Sequence, residues 1–174
     1  NCNPHPQPLS RSRILSGAQR SRRTTSGEGR HQAHMLKGQL LQPEILSALG
    51  KAGHGAKVLI ADGNFAFGPI IHPRATCVWL NLAPGLVTVT DVLKVLLTAI
   101  PIEAVDVMTP ETGEEPSIHA DFRSILPPDM PVTKHKRFAF YDVTRSPDTI
   151  LVIATGEQRI YANIVLTIGV VMPE

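Results

Sequence analysis

From Pro43 onward the apolar positions fall into short runs whose spacing switches between helical and extended. Ile45, Leu46 and Leu49 recur at helical spacing behind Pro43, which a first helical turn tolerates, so residues 43–52 read as a short helix with Gly53 as its stop. Val58-Leu59-Ile60-Ala61 is a compact apolar run suited to a buried strand, ended by Asp62-Gly63-Asn64. A loop with Pro69, His72, Pro73 and Arg74 leads to a second strand over Thr76–Leu80, in which Trp79 is expected in the core. Thr90-Asp91 opens a clear helix whose apolar face runs from Val92 to Ile100, and Pro101 ends it. Ala104–Met108 reads as a strand, Thr109–Glu115 as a proline- and acid-rich loop, and Pro116–Leu126 as a helix stopped by Pro127-Pro128. Arg137–Tyr141 is ambiguous between strand and helix, whereas Ile150–Ala154 and Ile164–Ile168 are rich in β-branched residues and read as strands. Helices alternating with apolar strands predict a single layered α/β domain, a mixed β-sheet flanked by helices.

Residues 1–34 lack this patterning: Leu9, Ile14 and Leu15 are their only large apolar side chains. Such a segment cannot bury enough surface to offset its conformational entropy, and disorder is expected there. The division is 1–34 as a basic extension and 35–174 as the domain. Composition alone hides it, because the whole chain of 174 residues carries a net charge of +2 and a pI near 8.7. Split at Met35, six arginines against Glu28 give the first segment +5 and leave −3 on the remainder. Three origins fit the extension: a tag-like or upstream-translated leader, an Arg- and Ser-rich targeting peptide, or an arm that neutralises phosphates. The acidic domain itself gives no reason to expect nucleic acid, and no apolar run is long enough to span a bilayer. Cys2 and Cys77 are too few for a disulfide framework and form no CxxC pair, so a reducing, cytoplasmic setting is expected.

Three stretches carry candidate chemistry. His54 lies between Gly53 and Gly55 ahead of the first strand, where flexible backbone can present an imidazole that titrates near neutrality; a capping glycine beside an incidental histidine is the plainer reading. Asp62 stands at the carboxyl end of that strand, where α/β sheets present ligand-binding groups, or it simply turns the chain. In the last interstrand loop the phenol of Tyr161 and the amide of Asn163 suit a hydroxylated ligand, or Tyr161 packs as a lid over a plain turn. His54, Asp62 and His72 match no compact metal spacing, so no metal is expected. The chain also lacks GxGxxG, a Walker lysine and a GxSxG elbow, and Cys77 reads as a small buried hydrophobe.

Together these stretches resemble the L-fucose mutarotase and D-ribose pyranase family of sugar-anomer isomerases. The resemblance rests on Gly53-His54-Gly55, Asp62, Lys136-Arg137-Phe138-Ala139-Phe140-Tyr141-Asp142, and Thr155-Gly156-Glu157 through Tyr161-Ala162-Asn163-Ile164 to Gly169-Val170, in order over Met35–Val171. It implies an isomerase that exchanges anomers of a monosaccharide by general acid/base catalysis, without a cofactor. His54 would donate the proton, and Asp62, Arg137, Tyr161 and Asn163 would bind the sugar. It also implies a helix from Arg137 and a cyclic homo-oligomer, commonly a decamer. Arg137 with its aromatic run is similar to the fucose branch, so L-fucose is the first expected substrate. Ala162 is closer to the ribose branch, which keeps a ribose pyranase open. The family's acid two positions after the histidine is replaced by Ala56, so a carboxylate orienting His54 must come from elsewhere, with Asp62 the candidate. That departure also leaves open a non-catalytic sugar-binding accessory protein.

Overall fold

The computed structural model describes residues 36–173. The expected disordered extension, residues 1–34, lies outside the described residues. The elements are α1 (Pro43–Leu49), β1 (Lys57–Ala61), α2 (Phe67–Ile70), β2 (Thr76–Trp79), α3 (Val89–Leu96), β3 (Ile102–Thr109), α4 (Ile118–Ile125), β4 (Val132–Lys136), α5 (Arg137–Thr144), β5 (Thr149–Ala154) and β6 (Ile164–Ile168). The strands form one mixed sheet in the order β2-β5-β1-β6-β3-β4. Five strands run parallel, and β6 alone runs against its neighbours β1 and β3. The carboxyl ends of the five therefore gather at one edge of the sheet, together with the start of β6.

Alternation along the central strands gives the sheet two apolar faces. Val58 and Ile60, Leu151 and Ile153, and Ile164 and Leu166 pack on one face with Ile45 of α1, Leu93 and Leu96 of α3, and Ile118 and Phe122 of α4. Leu59, Ala61, Val152 and Val165 point to the other, where Phe65, Ile70 of α2 and Phe140 of α5 cover them. Burying each of these large side chains contributes about 1.5–3 kcal/mol before entropy is counted.

Several boundaries differ from the sequence reading for identifiable reasons. α1 ends at Leu49 with Gly50 as its cap, three residues before the expected stop at Gly53. α3 begins at Val89, because Thr88 and Asp91 close a reciprocal capping box: the Asp91 N–H donates to Thr88 Oγ1 at 3.2 Å and the Thr88 N–H to Asp91 Oδ2 at 3.1 Å. β4 is a polar edge strand, Val-Thr-Lys-His-Lys, paired parallel to β3 from Val105↔Val132 to Thr109↔Lys136, and it has no apolar alternation to betray it. Arg137–Thr144 is a helix, as the family resemblance implies. Trp79, expected in the core, is 60% exposed and leans on Phe67. β2 is an edge strand, and the short α2 beside it leaves the ring open to solvent.

Candidate active site

A cavity of about 230 Å³ opens at the edge where the carboxyl ends of the strands gather. Asp62 enters it from the end of β1, Met108 from the end of β3, and Arg137 from the first turn of α5, directly after β4. Tyr161 and Asn163 enter from the loop before β6. Four of the five site residues expected from the sequence thus line one concavity.

Asp62 and Asn163 form its fixed floor. The Asp62 N–H donates to Asn163 Oδ1 at 3.0 Å, and Asn163 Nδ2 donates to Asp62 Oδ2 at 2.8 Å, so one amide holds both the backbone and the carboxylate of Asp62. The Asn64 N–H donates to Asp62 Oδ1 at 2.9 Å, the Asx turn of an aspartate ending a strand. Asp62 is only 3% exposed, and this burial pushes its carboxyl above the ordinary aspartate range against the pull of those hydrogen bonds. Tyr161 has φ 61°, left-handed backbone that is rare for so large a side chain, held within a loop whose neighbours are tied down.

A second carboxylate, Glu157, is buried beside this floor, 4% exposed. Its environment drives it the opposite way: hydrogen bonds from Arg159 hold it below the ordinary glutamate range, and its negative charge adds to the upward push on Asp62. Two neighbouring carboxyls with separated proton affinities let one stay ionised while the other is free to titrate.

His54 stands elsewhere. It precedes β1, and the Gly55 N–H donates to the carbonyl of Ile168, the last residue of β6, at 2.9 Å. Asp62 is at the opposite end of β1, roughly 20 Å away at about 3.3 Å per residue. Gly55 takes φ +80°, a turn for which glycine is suited, and the His54 side chain beside it is exposed. His54 Nε2 donates to Glu103 Oε2 at 2.9 Å. The carboxylate that orients His54 is therefore Glu103, at the start of β3, and not Asp62 as the sequence suggested; the length of β1 keeps those two apart. Because a carboxylate only accepts, this bond puts the ring proton on Nε2 and leaves Nδ1 as the free acceptor of the neutral ring.

Phe65, Met108 and Tyr141 also line the cavity, and the sequence reading did not single them out as site residues. Tyr141 had a usable signal, since it lies four residues after Arg137 and shares its side of any helix begun there. Glu103 had none, because its contact with His54 spans 49 residues. Among the described residues no group of three or more His, Cys, Asp or Glu is placed to hold a metal ion. Also among them, no helix is long and apolar enough to cross a membrane.

Residues 35–171 match the RbsD / FucU transport protein family. The chain is 31% identical to the fucose mutarotase of Homo sapiens over 150 residues, 78% of this chain and 94% of that protein. Identity to the Mus musculus fucose mutarotase is 32% over 149 residues, covering 77% and 94%. Among solved structures, Bacillus subtilis RbsD complexed with D-ribose is similar with TM-score 0.68 and 28% identity, over 79% of this chain and 100% of that one. The Streptococcus pneumoniae fucose mutarotase in complex with L-fucose shares the fold, with TM-score 0.64 and 23% identity over 75% and 94%.

Proposed function

Because the chain belongs to the RbsD/FucU transport protein family, we propose that it is a sugar mutarotase, an isomerase that interconverts the α and β anomers of a monosaccharide, with L-fucose as its first substrate. The observation that carries this is the polar cavity at the carboxyl edge of the sheet, in which the buried Asp62, locked to Asn163, faces Arg137, Tyr141 and Tyr161. That donor and acceptor set suits a ring of hydroxyls.

Anomer exchange opens the ring and recloses it on the other face of the aldehyde. A proton must reach the ring oxygen while the anomeric hydroxyl loses one, and placed acid/base groups accelerate such steps by roughly 10² to 10⁴. In this reading Asp62 and Asn163 accept and donate to sugar hydroxyls, Arg137 fixes another by a charge-assisted bond, and Tyr161 closes the site. His54 exchanges the proton through Nδ1, with Glu103 fixing its tautomer and orientation.

His54 cannot reach the cavity of its own chain, so the reading requires a second copy to supply it. In support, five of the eight aromatic side chains form a ribbon, Trp79-Phe67-Phe65-Tyr141-Phe138, with successive centroids 5.0, 5.3, 5.7 and 6.2 Å apart. Phe65 and Tyr141 line the cavity, while Trp79 and Phe138 at the ribbon's ends are 60% and 74% exposed. Exposed aromatic surface rimming a site suits a protein partner, here another copy in a cyclic assembly. The decamer implied by the family resemblance and the cytoplasmic setting expected from the cysteines belong to this proposal.

A D-ribose pyranase is the second reading, favoured by Ala162 and by the likeness to the ribose-bound RbsD. Saturation transfer between anomeric NMR signals of L-fucose, D-ribose, L-rhamnose and D-galactose decides among these. Exchange fastest on L-fucose is expected, and fastest on D-ribose selects the second reading. A sugar whose signals are perturbed without exchange would identify the non-catalytic binder.

A further inference from the structure

We infer that Arg159, which touches neither the cavity nor His54, is a positioning residue of the sugar site: it grips the buried Glu157 carboxylate and so holds the loop that presents Tyr161 and Asn163. The inference rests on the mutarotase reading of that cavity.

The loop Thr155–Asn163 is organised around Glu157. Arg159 Nε donates to Glu157 Oε1 at 3.0 Å and Nη2 to Oε2 at 2.8 Å, a two-point grip that a lysine cannot reproduce. The backbone N–H groups of Gln158 and Arg159 both donate to Oε1 at 3.1 Å, which curls the chain around its own carboxylate. The backbone N–H of Val89, at the first turn of α3, adds to the pull that holds the Glu157 carboxyl below its ordinary range. The remaining arm of Arg159, Nη1, donates to Asp121 Oδ2 of α4 at 2.6 Å. The Glu157 carbonyl accepts the N–H of Gly63, the residue after Asp62, at 3.0 Å. The guanidinium thus ties the loop to its own carboxylate and to α4, and the Glu157 backbone carbonyl ties it to the turn that carries Asp62.

Two consequences separate this role from general structural support. The grip lies two residues before Tyr161, whose left-handed backbone persists only while its surroundings hold it. Arg159 is also the cation on Glu157, and Glu157 pushes the proton affinity of Asp62 upward. The charged and titratable groups around this pair are Asp62, Asp121 and, across the cavity, Arg137, Tyr141 and Tyr161. Removing the cation leaves two buried carboxylates with less compensation, so Asp62 holds its proton to higher pH.

The test compares R159K, R159Q and the double variant E157Q/R159Q in the full chain, with two readouts. One is the sugar dissociation constant, measured with the best substrate of the native protein. The other is the titration of the Asp62 carboxyl, followed by ¹³C NMR without sugar. R159Q is expected to weaken sugar binding about tenfold and to move the Asp62 midpoint up. R159K keeps the charge and loses the two-point grip, so it weakens binding with a smaller movement of that midpoint. E157Q/R159Q removes both charges, brings the Asp62 midpoint back down, and remains informative if R159Q fails to fold. Native sugar affinity with an unmoved Asp62 midpoint in all three variants would overturn the inference. If the native protein binds and exchanges no sugar, the mutarotase reading fails, and the Asp62 midpoint still decides whether Arg159 governs the charge at that floor.

Discussion

Asp62 and His54 are eight positions apart in the sequence and at opposite ends of β1 in space, and their partners divide the work between them. Asp62 is locked by Asn163 and His54 is bonded to Glu103, and in the proposed mechanism the first serves binding and the second proton exchange. His54→Ala should abolish anomer exchange while sugar binding survives. Glu103→Gln keeps a side chain able to accept from Nε2–H and should slow exchange less severely. Arg137→Ala should weaken binding. Saturation-transfer rates beside dissociation constants check all three, and an H54A protein with native exchange would remove the histidine from the chemistry.

His119 gives an independent prediction about stability. It is buried in α4, its Nε2–H donates to the carbonyl of Met108 at 3.1 Å, and burial pushes its proton affinity below the ordinary value of 6.5. Below about pH 6.5 the unfolded chain therefore binds a proton that the folded chain refuses. Stability from this group is full above pH 6.5 and is lost as pH falls from there through the lowered folded value. His119→Phe, beside the stacked Phe122, should give a shallower fall in urea midpoint between pH 7.5 and 5.5 than the native protein. Equal slopes would contradict the assignment.

At the scale of elements, legibility followed hydrophobic contrast. β1, β5 and β6 are buried in the middle of the sheet, and their continuous apolar runs announced them. β4 is held by its ladder to β3, and its lysines and threonine carry no period that a sequence reading can use. Trp79 was misplaced because a tryptophan in an apolar strand reads as core until the strand is known to lie at an edge. Asp62 and the Tyr161–Asn163 loop were legible because they sit where strands end, whereas the His54–Glu103 and Arg159–Asp121 contacts join residues that only the fold brings near.

The loop after β5 also contains a position that no larger residue can take. A Cβ on Gly156 would collide with the backbone carbonyl oxygens of Leu86 and Ala83, and backbone cannot swing aside as a side chain can. The Gly156 N–H donates to the Val87 carbonyl at 2.9 Å, and its own carbonyl accepts the Gly85 N–H at 2.6 Å. Gly156→Ala should cost about 3 kcal/mol, the upper end for overpacking, read as a lowered urea midpoint. A loss under about 0.5 kcal/mol, the ordinary scatter of surface substitutions, would show that the two loops are not in this contact.

For the whole molecule, the topology makes the requirement for a second copy. Five parallel strands place the residues lining the cavity at one edge of the sheet and the His54–Glu103 pair at the other, so the proposed mechanism, which uses both, needs two chains. The most direct test is to co-express H54A and D62N chains under separate tags, purify the mixed assemblies through both tags, and measure anomer exchange by saturation transfer. Each parent assembly alone should be inactive or nearly so. Random assortment in a ring leaves about a quarter of the sites with both native groups, and the mixed assemblies should recover about that share of native exchange. Mixed assemblies as inactive as their parents would contradict a site completed by His54 from a neighbouring copy.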